Sequence, residues 1–166
     1  IVVFAPVFLA MLGAVGWATI QGIEVPWDMF AYYTALLAVM ALCFLGIGML
    51  ISAIARSTDM AQGAAFMVWL TLLLFLDLIL LGIMIQGKVA PEIAVGIALA
   101  NPLQVFRTAA LALFDPQLIV LGPSAYVILD TFGVAGYKVF ALAYPAALGL
   151  VSATAGYFIF RRGDLP

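Results

Sequence analysis

Asp77 stands in the run Leu70-Thr-Leu-Leu-Leu-Phe-Leu-Asp-Leu-Ile-Leu-Leu-Gly82, a carboxylate with hydrocarbon side chains on both flanks. An ionised group at membrane depth costs roughly 2.5–3.5 kcal/mol on insertion scales unless it faces a protein interior or a wet cavity. Asp77 therefore requires a packed partner, and two roles stay open for it. It makes a structural hydrogen bond to a neighbouring helix or a second copy of the chain, or it lines a substrate or proton path. A second polar group, Arg56-Ser57-Thr58-Asp59, falls in a very short connection between apolar runs. Ser57 or Thr58 can cap the helix that follows, and Asp59 adds a negative charge where the helix dipole favours one. Arg56 either marks topology by the positive-inside rule or offers its planar guanidinium to a partner's carboxylate. Met40 and Cys43 share a face at i,i+3, a thioether and a thiol suited to Cu(I). The remaining methionines have no repeated short spacing and methionine is ordinary packing filler, so no metal site is assigned.

The inventory excludes most enzyme chemistry. The chain has no histidine and one cysteine, Cys43, too little for a Ser-His or metal-dependent intramembrane hydrolase. It has no G-x-x-x-x-G-K-[ST] loop either, so any ATP it uses is bound by another chain. We assign no catalytic residue and no cofactor. With 67% hydrophobic residues, 8% charged residues and mean hydropathy +1.28, there is too little polar surface to coat a soluble domain, and the solvent must be lipid. The net charge of −2 and the lack of any Lys/Arg cluster argue against nucleic acid and against a polybasic lipid anchor.

The expected fold is all-α and integral to the membrane. A bilayer core needs about 20 mostly apolar helical residues, and four segments reach that length: residues 1–20, 30–54, 61–85 and 138–160. Pro6, Gly13 and Gly16 in the first and Pro145 in the last are tolerated where neighbouring helices satisfy freed backbone groups. Trp27 falls where an interfacial aromatic belt would lie. The connection over 86–137 is long and greasy, punctuated by Pro91, Pro102, Pro116 and Pro123, a pattern of short re-entrant or interfacial helices. Within it Asn101 and Pro102 read as N-cap and first-turn proline of an amphipathic helix. Its apolar face is read as Leu103, Phe106, Ala110, Leu113 and Phe114, with Gln104, Arg107 and Thr108 on another. The helix either packs on the bundle or acts as an outer gate. Small residues at Ala141, Pro145, Gly149 and Ala153, at Ser152 and Gly156, and at Gly48 and Ser52 predict close helix contacts.

With four spans both ends share a side. Arg56, Arg161 and Arg162 lie there, and Lys88, Arg107 and Lys138 lie opposite. The Arg161-Arg162 pair and the tight Arg56 connection favour placing that side, and the C-terminus, in the cytoplasm. The chain opens on Ile1 inside an apolar run, so it is expected to be the C-terminal part of a longer protein, with 161–166 a natural stop.

The stretch Gly46-Ile-Gly-Met-Leu-Ile-Ser-Ala-Ile-Ala-Arg-Ser-Thr-Asp-Met-Ala61, and Asn101-Pro102-Leu103 in an outer connection, resemble the ABC-2-type transporter permeases. The run from Asn101 to Pro116, continuing through Gly133, is most similar to the permease subunit of the ABC transporter used in nitrous-oxide reductase maturation. The resemblance covers essentially the whole chain. It implies a six-span subunit of a bacterial inner membrane, paired with a second permease copy and with ATP-binding-cassette subunits, and with both termini cytoplasmic. Residues 1–166 would be its C-terminal part, holding spans three to six and an external re-entrant region over 86–137, without the first two spans and their coupling helix. For the nitrous-oxide branch it further implies a periplasmic copper-binding partner and a role in assembling a copper-sulfur centre. An ATP-independent secondary transporter that moves protons through Asp77, or a purely structural assembly subunit, are the competing classes. The former predicts an internal repeat, and none is evident between the halves.

Overall fold

The computed structural model describes residues 4–75, 91–114 and 123–163. Among these residues the chain is helical, with no strand. Helix α1 (Phe4–Ile20) ends where Gly22 takes φ +72, a left-handed value that L side chains rarely adopt. Gly22 N–H donates to the Thr19 carbonyl at 3.1 Å and Ile23 N–H to that of Ala18 at 3.0 Å, a Schellman closure. Helix α2 (Trp27–Ile54) follows Pro26 and carries Asp28 in its first turn. It begins three residues before the span expected at Phe30, because Trp27 and Asp28 suit an interfacial first turn. Trp27 is largely exposed, its ring edge-on to Phe30 at 6.1 Å.

Helix α3 (Thr58–Leu70) runs into a π-helical turn, Thr71–Phe75. Two short helices follow, α4 (Pro91–Ala100) and α5 (Pro102–Phe114), separated by Asn101 alone. The last helix, α6 (Pro123–Gly163), is broken at Gly133, whose φ of 64° and ψ of 167° belong to a region essentially reserved for glycine. Its membrane-length part, Thr131–Arg162, begins upstream of the Lys138 boundary expected from sequence. Pro145 lies within it, buried, and the helix continues past it. Among the described residues two helices, Trp27–Ile54 and Thr131–Arg162, are long and apolar enough to cross a membrane. Helix α1 has 17 residues, and the third run leaves the described residues at Phe75.

The centre of the molecule is the α2–α6 pair, which meets backbone to backbone. A Cβ at Gly46 would collide with the Gly149 carbonyl. One at Gly149 would lie 2.8 Å from Cys43 Cα, and one at Gly156 3.0 Å from Leu50 Cα. A side chain at Gly46 or Gly149 would force the helices apart, and one at Gly156 would need its neighbour to give by a few tenths of an ångström; such close approach is how membrane helices gain packing contacts when burial from water no longer discriminates. The stripe Ala141, Pro145, Gly149, Ser152, Gly156 is buried along α6, against Leu36, Met40, Cys43 and Gly46 on α2. The pair Gly48 and Ser52 is not in this seam: Gly48 has open space beside it and Ser52 is exposed. The seam on α2 advances by four, three and three residues, and position 48 falls off that line.

The pairings Tyr32 with Lys138, Gly46 with Gly149 and Leu50 with Gly156 make α2 and α6 parallel. Parallel neighbours in one chain require the intervening residues to travel back along the full length of the pair. Helix α3 starts that return from the end that holds Ile54, and Leu72 reaches the level of α4 and α5, where its carbonyl meets Asn101.

Candidate functional site

Among the described residues, polar groups gather at one end of the α2–α6 pair and near its middle. At the end shared by the α2 C-terminus and Arg161-Arg162, the connection is Ala55 to Ser57. Ala55 N–H donates to the Ile51 carbonyl at 2.9 Å and the backbone then extends (ψ 136). Ser57 is the N-cap of α3, its Oγ accepting from Met60 N–H at 3.2 Å. Thr58 is the first helical residue, and Asp59 lies in the first turn. Arg56, Ser57, Thr58 and Asp59 are all exposed, so the tip presents a cation beside a carboxylate at a helix N-terminus.

Near the middle of the pair, where Tyr144 meets Ala100, Asn101 is 1% exposed and uses both ends of its carboxamide. Its Oδ1 accepts from Leu103 N–H at 3.0 Å, capping α5, while its Nδ2 donates to the Leu72 carbonyl in the π-turn at 2.7 Å. A π-turn shifts the helical ladder by one residue, and such turns collect at functional positions. Pro102 is buried at the first position of α5, where a missing N–H is harmless.

The buried face of α5 is Val105, Thr108, Ala109, Ala112 and Leu113. This differs from the face read from sequence: Thr108 is inside, and Phe114 is 84% exposed. Small residues let α5 approach α2 and α6, whereas large apolar side chains gain nothing from burial when lipid surrounds them. Phe106 is half-buried, 6.1 Å from the Tyr33 ring, and Arg107 is exposed. Both line an open apolar cavity of about 800 Å³ between α1, the start of α2 and α5, with Glu24 its other charged residue.

Three tyrosines that sequence reading passed over tie α4, α5 and α2 to α6. Tyr144 Oη donates to the Ala100 carbonyl at 2.6 Å, Tyr137 Oη to that of Val105 at 3.4 Å, and Tyr32 Oη to that of Lys138 at 3.0 Å. Lys138 Nζ stands 5.6 Å from the centre of the Tyr32 ring. The available signal was Tyr137 and Tyr144 at i,i+7 on one face of an apolar helix, because a phenol away from water needs an acceptor. The Gln104 Oε1 is buried without a protein partner.

Asp77 lies outside the described residues. Met40 and Cys43 are both buried in the α2–α6 seam, Cys43 fully, where packing accounts for them. No group of three or more His, Cys, Asp or Glu side chains gathers among the described residues.

These features, long apolar helices joined by short polar tips and tied by glycines and tyrosines, are those of a multi-pass helical membrane protein. The family model described as ABC-2 family transporter protein matches residues 1–165, and the chain belongs to that family. It is therefore an ABC transporter permease, the membrane component that works with a separate ATP-binding-cassette subunit. Comparison with curated proteins gave no match, and comparison with solved structures gave none.

Proposed function

We propose that this chain transmits work from a cytoplasmic ATPase at the Arg56–Asp59 tip to the α4–α5 layer at the other end of the molecule, as part of a homodimeric permease. The observation that carries the reading is the glycine seam. Contact of backbone with backbone at Gly46–Gly149 and at Leu50–Gly156 leaves no side chain between α2 and α6 at those crossings, so displacement at one end moves both helices together. The three tyrosine hydroxyls then tie α6 to α2, α4 and α5, through the carbonyls of Lys138, Ala100 and Val105. Asn101 adds the third helix to the same group.

In this reading the tip faces the cytoplasm of a bacterial inner membrane, supported by Arg56, Arg161 and Arg162 lying at one end of parallel helices. The finer assignment, maturation of the copper-sulfur centre of nitrous-oxide reductase with a periplasmic copper-binding partner, is supported by the resemblance of the Asn101–Pro116 run alone. Arg56→Lys keeps the topological charge and removes the bidentate fork. We expect it to insert normally, and to lower ATP turnover of the assembled transporter or co-purification of the ATPase by about five- to tenfold, the effect of roughly 1 kcal/mol in a charge-assisted contact. Unchanged assembly and turnover would reduce Arg56 to a topological marker. Loss of the enzyme's copper-sulfur absorption in cells lacking the permease tests the finer assignment separately.

A further inference from the structure

The cavity between α1, α2 and α5 has no part in force transmission, yet its size and lining are specific. Ala14 on α1, Phe30 and Tyr33 on α2, and Phe106 and Ala110 on α5 give it apolar walls, and its volume of about 800 Å³ falls in the range of small-molecule sites. Its charged lining residues are one anion, Glu24, and one cation, Arg107. Glu24 belongs to the α1–α2 connection, beside the exposed Trp27 that marks the membrane boundary. A chamber with apolar walls and one charged lining residue of each sign complements an amphiphile with an anionic and a cationic group in its head.

We propose that this cavity is a binding site for one zwitterionic phospholipid of the surrounding bilayer, with an acyl chain against Phe30, Phe106 and Ala110. The phosphate lies toward Arg107 and the ammonium group toward Glu24. A second copy of the chain would instead bring an apolar helix and no use for the two charges. The bound lipid joins α1 to α5, which packs on α2, α4, α6 and the π-turn, and so makes the outer layer sensitive to the lipid around it.

The test uses the full permease with its ATPase in nanodiscs containing a diazirine-tagged phosphatidylethanolamine. Photolabelling should concentrate on peptides covering Ala14–Ala18 and Phe106–Phe114, and Ala110→Trp should fill the chamber and abolish that labelling. Val139→Trp, which adds the same bulk on an exposed face of α6, should leave it unchanged. Arg107→Glu should reduce labelling about fivefold, the loss of one guanidinium–phosphate attraction. Uniform labelling of all apolar helices in the wild-type protein would overturn the proposal even if the tryptophan variant failed to fold. Cross-linking of an Ala110→Cys variant to a second copy at the same position would also overturn it, since the chamber would then be an interface between copies.

Discussion

Asn101 shows how much one side chain can be asked to hold. Its oxygen caps α5 and its nitrogen closes on the Leu72 carbonyl. Asn101→Ala removes a cap worth about 1 kcal/mol and leaves a carbonyl unpaired, for a total of about 2 kcal/mol or more. Asn101→Asp retains the cap but aims an anionic oxygen at Leu72, so we expect it to be the less stable of the two. Thermal unfolding in one detergent ranks them; an Asp variant as stable as wild type would mean that the Leu72 contact contributes nothing. Tyr144→Phe removes the 2.6 Å bond to Ala100 and should cost between about 0.6 and 1.7 kcal/mol, the average and upper end for polar contacts between membrane helices. The Tyr137 bond is longer, at 3.4 Å, and its loss should cost less.

At the scale of elements, the α2–α6 seam makes a sharper prediction, because Cys43 is the chain's single cysteine and is fully buried within it. Gly149→Ala places a methyl group against the Cys43 backbone, and overpacking of this kind costs about 1–3 kcal/mol. Cys43 should become reactive to a membrane-permeant maleimide in Gly149→Ala and stay unreactive in Gly48→Ala, where a methyl group meets open space. Equal reactivity in the two variants would mean that Gly149 does not close the seam over Cys43. Element type was legible in the sequence because apolar runs of membrane length, Ser57 before an acidic first turn and Asn101-Pro102 are local signals. The α6 stripe was legible too, being periodic. What could not be read was pairing. Gly48 with Ser52 has the same spacing as a true contact, and only the partner's path selects Gly46. The α5 face was misjudged for a related reason: in lipid the buried side is marked by small residues such as Ala109 and Ala112, and bulk at Phe106 and Phe114 carries no inward signal. The tyrosine bonds join residues 32 to 106 positions apart, beyond any local pattern.

For the whole molecule the decisive geometry is that α2 and α6 are parallel. Cysteines introduced in a Cys43→Ala background report it directly. Thr58→Cys and Arg162→Cys should react with an impermeant reagent from one side of the membrane, and Val134→Cys from the other. Labelling of positions 58 and 162 from opposite sides would break the parallel arrangement and, with it, the proposed route from tip to outer layer.

The two halves of the seam are also far apart in time. Tyr32 and Lys138 are separated by 106 residues, so α2 is synthesised and inserted long before Gly149 exists to cover it. During that interval its glycine face is open to any helix that drifts past in the bilayer. A ribosome that stalls before α6 leaves that face permanently uncovered, and such chains should be cleared by membrane proteases faster than chains that carry α6. Helix α6 thus sets how long that face stays uncovered during synthesis.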